Sequence, residues 1–216
     1  DGVGSSRGLY GSDSLTGQLA TTATALTNVG SVAITQGAVT NANNTNYDIT
    51  YVPATLTINK ASLSAVGQKV YDGSADISAA SMSVSGLNGE TFSISGYATM
   101  QSKNVQWVTI NGVNTVTTQQ LANVNGLTIA SNGGALISNY LPLDVTNTVI
   151  TVTVKAISLT APVITKTYDA GYSYSMTATD LANMSTQLVG GDRVSSASVS
   201  FSSKDAGINK AVTLSN

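Results

Sequence analysis

The chain has 216 residues, 42% of them hydrophobic and only 9% charged, with a formal net charge of −2. That apolar content, with about a third Ser, Thr and Asn, excludes a disordered, highly charged chain and suits two or three modules of ordinary size. The 9 basic residues are scattered singly and Cys and His are absent, which excludes a phosphate-tracking surface, disulfides and the commonest general base.

Strands are predicted almost throughout. Val52, Ala54, Leu56 and Ile58 alternate with Tyr51, Pro53, Thr55 and Thr57, the period-2 signature of a half-buried strand. Residues 56–63 contain no Gly or Pro, so the closing strand of one module is expected to run directly into the next as a stiff joint. Met82 and Val84, then Phe92 and Ile94, stand between serines as further strands. Trp107, flanked by Val105 and Thr109, is expected in or half in a core. Residues 111–135, with Asn111 and Asn114, read as an insertion that includes a Gly133-Gly134 turn. Ile150, Val152 and Val154 alternate with Val149, Thr151 and Thr153, and 157–162 is expected to carry strand across a second boundary. Asp180 to Leu188 is predicted as a short helix with Asp180 as its N-cap. Gly190-Gly191 follows as a turn, and Val199 and Phe201 alternate with serines in a late strand.

Several landmarks recur in order. Lys69-Val70-Tyr71-Asp72-Gly73 returns 97 positions later as Lys166-Thr167-Tyr168-Asp169-Ala170. Ser102-Lys103-Asn104-Val105 returns after 101 positions as Ser203-Lys204-Asp205-Ala206, and Asn46-Tyr47 as Asn139-Tyr140. Their order divides the chain into the later part of one module (1–60), a complete module (61–155) and the earlier part of another (156–216). The expected fold class is all-β: tandem elongated modules, Ig-like or β-sandwich-like with β-grasp-like as the alternative, arranged end to end as a rod. Asp1 opens no leader peptide and no apolar run reaches the roughly 20 residues of a bilayer span, so the chain reads as an excerpt of a longer precursor with no membrane insertion in this segment.

Residues 61–155 and 156–216 resemble the YDG modules of filamentous-haemagglutinin-type adhesins through Tyr71-Asp72-Gly73, Tyr168-Asp169 and the later Lys landmark. Residues 8–60 resemble the related MBG module through Tyr10-Gly11, Asn28-Val29-Gly30-Ser31 and Asn46-Tyr47-Asp48. Ala170 and Gln106 depart from the pattern, standing where glycine is usual. The resemblance implies a non-catalytic stalk of a large secreted, outer-membrane-anchored bacterial adhesin, supporting cell adhesion or biofilm formation. The alternatives are a glycan- or protein-binding module of such an adhesin, or a subunit of a head-to-tail extracellular filament. Partners implied are neighbouring repeats, host or biofilm glycans and other adhesin copies, with no nucleic acid.

Tyr71, Asp72, Gly73, Tyr168 and Asp169 are read as turn landmarks, because an Asp carboxylate that accepts backbone N–H groups opens a tight turn without any ligand. Trp107, Asn111 and Asn114 are the candidate binding residues of the insertion. Catalysis is not expected. A glycosidase needs two carboxyl groups across a cleft; Asp72 and Asp76 are the close acidic pair, and the second repeat has no acid matching Asp76. Calcium wants six to eight oxygen ligands, and Asp48 and Asp144 offer one acid each near the boundaries. No cofactor is expected, with calcium as the alternative.

Overall fold

The computed structural model describes residues 9–215; residues 1–8, on which the reading of a missing leader and the start of the first module fall, and residue 216 lie outside. The chain forms two compact units, Asp1–Ser62 with Leu136–Pro142, and Leu63–Ala135 with Leu143–Asn216.

In the first unit β1 (Ala20–Thr21), β2 (Gly30–Thr35) and β3 (Ala54–Ile58) form an antiparallel sheet in that order. Val32 pairs with Leu56 and Ile34 with Ala54. The half-buried strand expected over 51–58 is corrected here: Val52 lies outside β3 and is 78% exposed, Leu56 is exposed, and only Ile58 is partly covered. β3 is an edge strand of a small sheet, so its alternating pattern has little to pack against. Polar groups close this unit instead. Asn44 is buried; its Oδ1 accepts the Thr16 N–H at 2.6 Å and its Nδ2 donates to the carbonyls of Thr16 and Thr40, each at 2.9 Å. Tyr140, from the second Asn-Tyr landmark, is also buried, and Asn139 Oδ1 accepts the Val29 N–H at 3.1 Å. The unbroken strand expected over 56–63 is interrupted. Ala61 turns its N–H to Asn139 and its carbonyl to Leu141, which takes it out of the β3 ladder.

The second unit opens with β4 (Ser64–Val70), β5 (Asp76–Ser78), β6 (Met82–Ser85) and the long β7 (Thr91–Met100). There follow β8 (Gln106–Ile110), β9 (Val113–Gln119), β10 (Leu121–Asn123), β11 (Leu127–Ala130) and β12 (Thr148–Thr153). β4 lies between antiparallel β6 and parallel β12, β12 is antiparallel to β9, and β8 forms the edge. A parallel pair, β4 with β12, stands at the centre of this layer. β7 leaves β6 after Phe92 and then pairs with β11, β5 and β10. This makes a second layer. The core sits between them, with Ile77, Ala98, Met100 and Leu121 against Ile150 and Val152 of β12. The alternation read over 149–154 holds as far as Thr153, with Ile150 and Val152 buried and Val149 exposed, but Val154 lies beyond the end of β12 and is 58% exposed.

The later part of this unit contains β13 (Ser173–Ser175), α1 (Ala178–Ser185), β14 (Ser198–Phe201) and β15 (Val212–Ser215), the strands pairing in the order β13-β14-β15. Met184 of α1 is buried against Met176 and Val199. The helix starts earlier than the sequence suggests. Thr177 is the N-cap, and Asp180 is the third helical residue of a capping box, accepting the Thr177 N–H at 2.9 Å. A threonine hydroxyl three residues ahead satisfies the Asp180 N–H, so the acid serves the cap from inside. The strand expected over 157–162 is absent. Among the described residues nothing pairs with 154–172 as β6 and β12 pair with β4, and Pro162 lacks a donor.

Candidate functional site

The two Tyr-Asp motifs build the same lysine clamp. Lys69 Nζ lies 2.7 Å from Asp72 Oδ1 and donates to the carbonyls of Ser74 at 3.3 Å and Asp76 at 2.6 Å. Lys166 Nζ lies 2.6 Å from Asp169 Oδ1 and donates to the carbonyls of Gly171 at 3.4 Å and Ser173 at 2.9 Å. Each Asp also accepts the N–H two residues on, from Ser74 at 2.9 Å and Gly171 at 2.8 Å. The clamping ammonium first, and that N–H second, hold both carboxyls below their ordinary range. Strand register repeats as well: Asp76 pairs with Thr99 where Ser173 pairs with Ser200, the same 97- and 101-residue shifts as the landmarks. Ser102 Oγ accepts the Asn104 N–H at 3.0 Å, and Ser203 Oγ the Asp205 N–H at 3.2 Å, so the later landmark is a serine-closed turn.

The first motif does more than clamp. The Tyr71 hydroxyl donates to Asp192 Oδ1 at 3.0 Å and Oδ2 at 2.8 Å, and Lys103 Nζ lies 3.8 Å from Asp192. Hydrogen bonding to that carboxylate raises the Tyr71 pKa above the ordinary phenol value. Sequence reading singled out Tyr71, Lys103 and Gly190-Gly191, but not Asp192. Tyr71 and Asp192 stand 121 residues apart, and no local signal joins them. In the second motif Tyr168 is 60% exposed, and Ala170 takes a left-handed φ of 62°, a conformation that costs an L-residue about 1–2 kcal/mol.

Two short stretches of the chain match known domain families: residues 3–57 the MBG domain (YGX type) and residues 151–216 the YDG domain. The chain carries MBG/YDG-type modules. No curated protein and no solved structure matches it. The two domain families point to an adhesin-like or binding module. Residues 58–150 lie outside both matches, and their kinship with the YDG region rests on the shared clamp and register.

Relative to the YDG region the preceding repeat has an extra ribbon, placed differently from the insertion expected at 111–135. Leu121 pairs with Met100 and Val212 with Phe201, so 21 positions separate the first pair and 11 the second. The excess falls in the β8–β9 hairpin, whereas β10 and β11 are ordinary sheet. Asn111 and Gly112, with φ of 51° and 78°, form its two-residue turn, the conformation that Asn-Gly favours. Trp107 pairs with Val116 and Thr109 with Asn114, which puts Trp107, Thr109 and Asn114 on one face. Trp107 is 52% exposed, and the Thr109 hydroxyl donates to Asn114 Oδ1 at 2.8 Å. Asn111 stands apart at the tip.

The remaining candidates have local partners. Asp76 accepts the Thr99 hydroxyl at 3.2 Å, Asp48 the Asn41 amide at 2.8 Å, and Asp144 the N–H and hydroxyl of Thr146. Among the described residues no cluster of three or more acidic side chains could hold a metal ion. A concavity of about 590 Å³ runs along Ile164, Lys166, Tyr168, Phe201 and Val212. Phe201 and Val212 occupy the register of Met100 and Leu121, on which Ile150 and Val152 pack in the preceding repeat. The concavity therefore lies where a closing strand packs.

Proposed function

We propose that the chain is a non-catalytic stalk segment of a large secreted bacterial surface adhesin, spacing a distal binding region from an outer-membrane anchor in support of adhesion or biofilm formation. The duplicated clamp carries this reading. Lys69 with Asp72 and Lys166 with Asp169 hold turns, so the most conspicuous polar residues of the repeats are engaged in folding work that any spacer needs. A surface of neutral hydroxyls and amides keeps such a spacer hydrated with little charge. Replacing the segment, within the protein that carries it, by an unrelated rigid spacer of equal length should leave cell attachment unchanged. Lost attachment with normal surface display would sink the spacer reading.

The second reading is a glycan-binding role for the β8–β9 ribbon. The half-exposed Trp107 ring beside Thr109 and Asn114 has the aromatic face and amide that sugars use. A glycan array comparing the chain with its Trp107→Ala variant separates the two readings: tryptophan-dependent binding supports the ribbon, and none supports the spacer.

A further inference from the structure

Gly73 and Gly190 approach so closely that neither has room for a side chain. A Cβ on Gly73 would lie 2.1 Å from Gly190 Cα, and one on Gly190 would lie 2.2 Å from Gly73 Cα. Both obstacles are backbone, so no change of rotamer relieves them. Tyr71 and Lys103 reach Asp192 beside this contact. Three landmark residues of one repeat, Tyr71, Gly73 and Lys103, thus receive one turn of the next, the segment 189–192.

Both partners have a counterpart in the chain, and both counterparts carry a Cβ. Tyr168, Ala170 and Lys204 stand at the landmark positions of Tyr71, Gly73 and Lys103. The clamp beneath Ala170 is the same, and its φ of 62° resembles the 80° of Gly73. The turn at 87–90 likewise repeats the one at 189–192: Glu90 N–H donates to the Leu87 carbonyl at 3.0 Å as Asp192 N–H does to that of Val189 at 3.1 Å. There Asn88, at φ 53°, stands where Gly190 has φ 63°.

We propose that the third residue of the Tyr-Asp-x motif decides whether a repeat accepts a Gly-Gly-acid turn from its neighbour: Gly73 opens the socket and Ala170 closes it. The chain then holds one matched pair, Gly73 with Gly190, while Ala170 and Asn88 each carry a side chain where that contact admits no Cβ. Repeats that share landmarks are thereby confined to one docking register, an instance of specificity by exclusion. The inference concerns packing alone and stands whether the segment spaces or binds.

The test copies the residue of the second motif into the first, as Gly73→Ala in the 216-residue chain, read by residue-resolved amide exchange. Alanine already sits in an equivalent turn at Ala170 with its clamp formed, so the substitution keeps the turn at 72–74. Exchange across 189–193 should accelerate roughly tenfold or more, as for a locally released segment, while Ile150 and Val152 stay protected. Tyr71 should also titrate closer to an ordinary tyrosine once Asp192 withdraws. Gly190→Ala should give the same result from the other side, and Ala170→Gly should change neither readout. Unchanged exchange at 189–193 and unchanged Tyr71 titration in Gly73→Ala overturn the proposal. Should Gly73→Ala also expose β12, Gly190→Ala decides: native exchange at 189–193 rejects the socket, and selective release supports it.

Discussion

The two repeats of the second unit share landmarks, clamps and register, yet they differ in how their hydrophobic layers close. In the earlier repeat β12 lies parallel to β4 and lays Ile150 and Val152 over Met100 and Leu121. In the later one no strand pairs, among the described residues, with those equivalent to β4, and Phe201 and Val212 face a concavity. Its small core gathers around α1 instead, through Met176, Met184 and Val199. The comparison separates two things that a repeat motif does. Turn chemistry is local, each clamp forming within eight residues of chain, whereas the core of the earlier repeat depends on a strand that the chain supplies some 80 positions after β4, on the count from β4 to β12.

The largest test of this contrast is a pair of core substitutions. Leu121→Ala empties a fully buried site and should cost about 2–5 kcal/mol. Val212→Ala, at the equivalent but 47% exposed position, should change stability by no more than about 0.5–1 kcal/mol. Urea unfolding of each variant gives the numbers, and equal losses would mean that the two layers close alike.

Next come the clamps, where the repeats should agree. Lys69→Met and Lys166→Met each take the ammonium away from two backbone carbonyls and a carboxylate, and each should cost about 1–3 kcal/mol. A loss at Lys69 with none at Lys166 breaks the equivalence. Lys166 also lies 5.7 Å from the Phe201 ring centroid, a contact that adds to its side of the pair.

The pH dependence is smaller and has a definite sign. Asp72 and Asp169 have carboxyl pKa values lowered in the fold, mainly by Lys69 and Lys166. Their contribution is therefore present above the unfolded value near 3.9 and fades as pH falls through the lowered folded value. Carboxyl titration by NMR should show both below the ordinary range, and Asp72→Asn and Asp169→Asn should each flatten the acid limb of the stability curve. The smallest effect belongs to the ribbon: Trp107→Ala should shift stability by no more than about 0.5 kcal/mol, because half of that side chain is already in water. A larger loss would show that the ribbon carries part of the fold.

Much of the architecture was legible in the sequence, because it rests on short-range chemistry. The strands around Met82, Phe92, Ile150 and Val199 follow from alternation, and the Tyr-Asp turns follow from an Asp that reaches its own backbone two residues on. The internal repeat was visible for the same reason, since each clamp lies within eight residues of chain. Helix α1 was found but misplaced, because Thr177 and Asp180 share one capping box and either could have opened it. What needed the tertiary structure is whatever depends on a distant partner. Alternation at Val52 and Leu56 looks like that at Ile150 and Val152, but only β12 has a second layer to cover it. The ribbon could be told from the rest of 111–135 only once strand pairing set Leu121 against Met100 and Val212 against Phe201. Tyr71 could be matched to Asp192 only by the fold, since contact across 121 residues leaves no period or spacing in the sequence. Local hydrogen bonds write themselves into neighbouring residues; burial and docking are set by which surfaces meet.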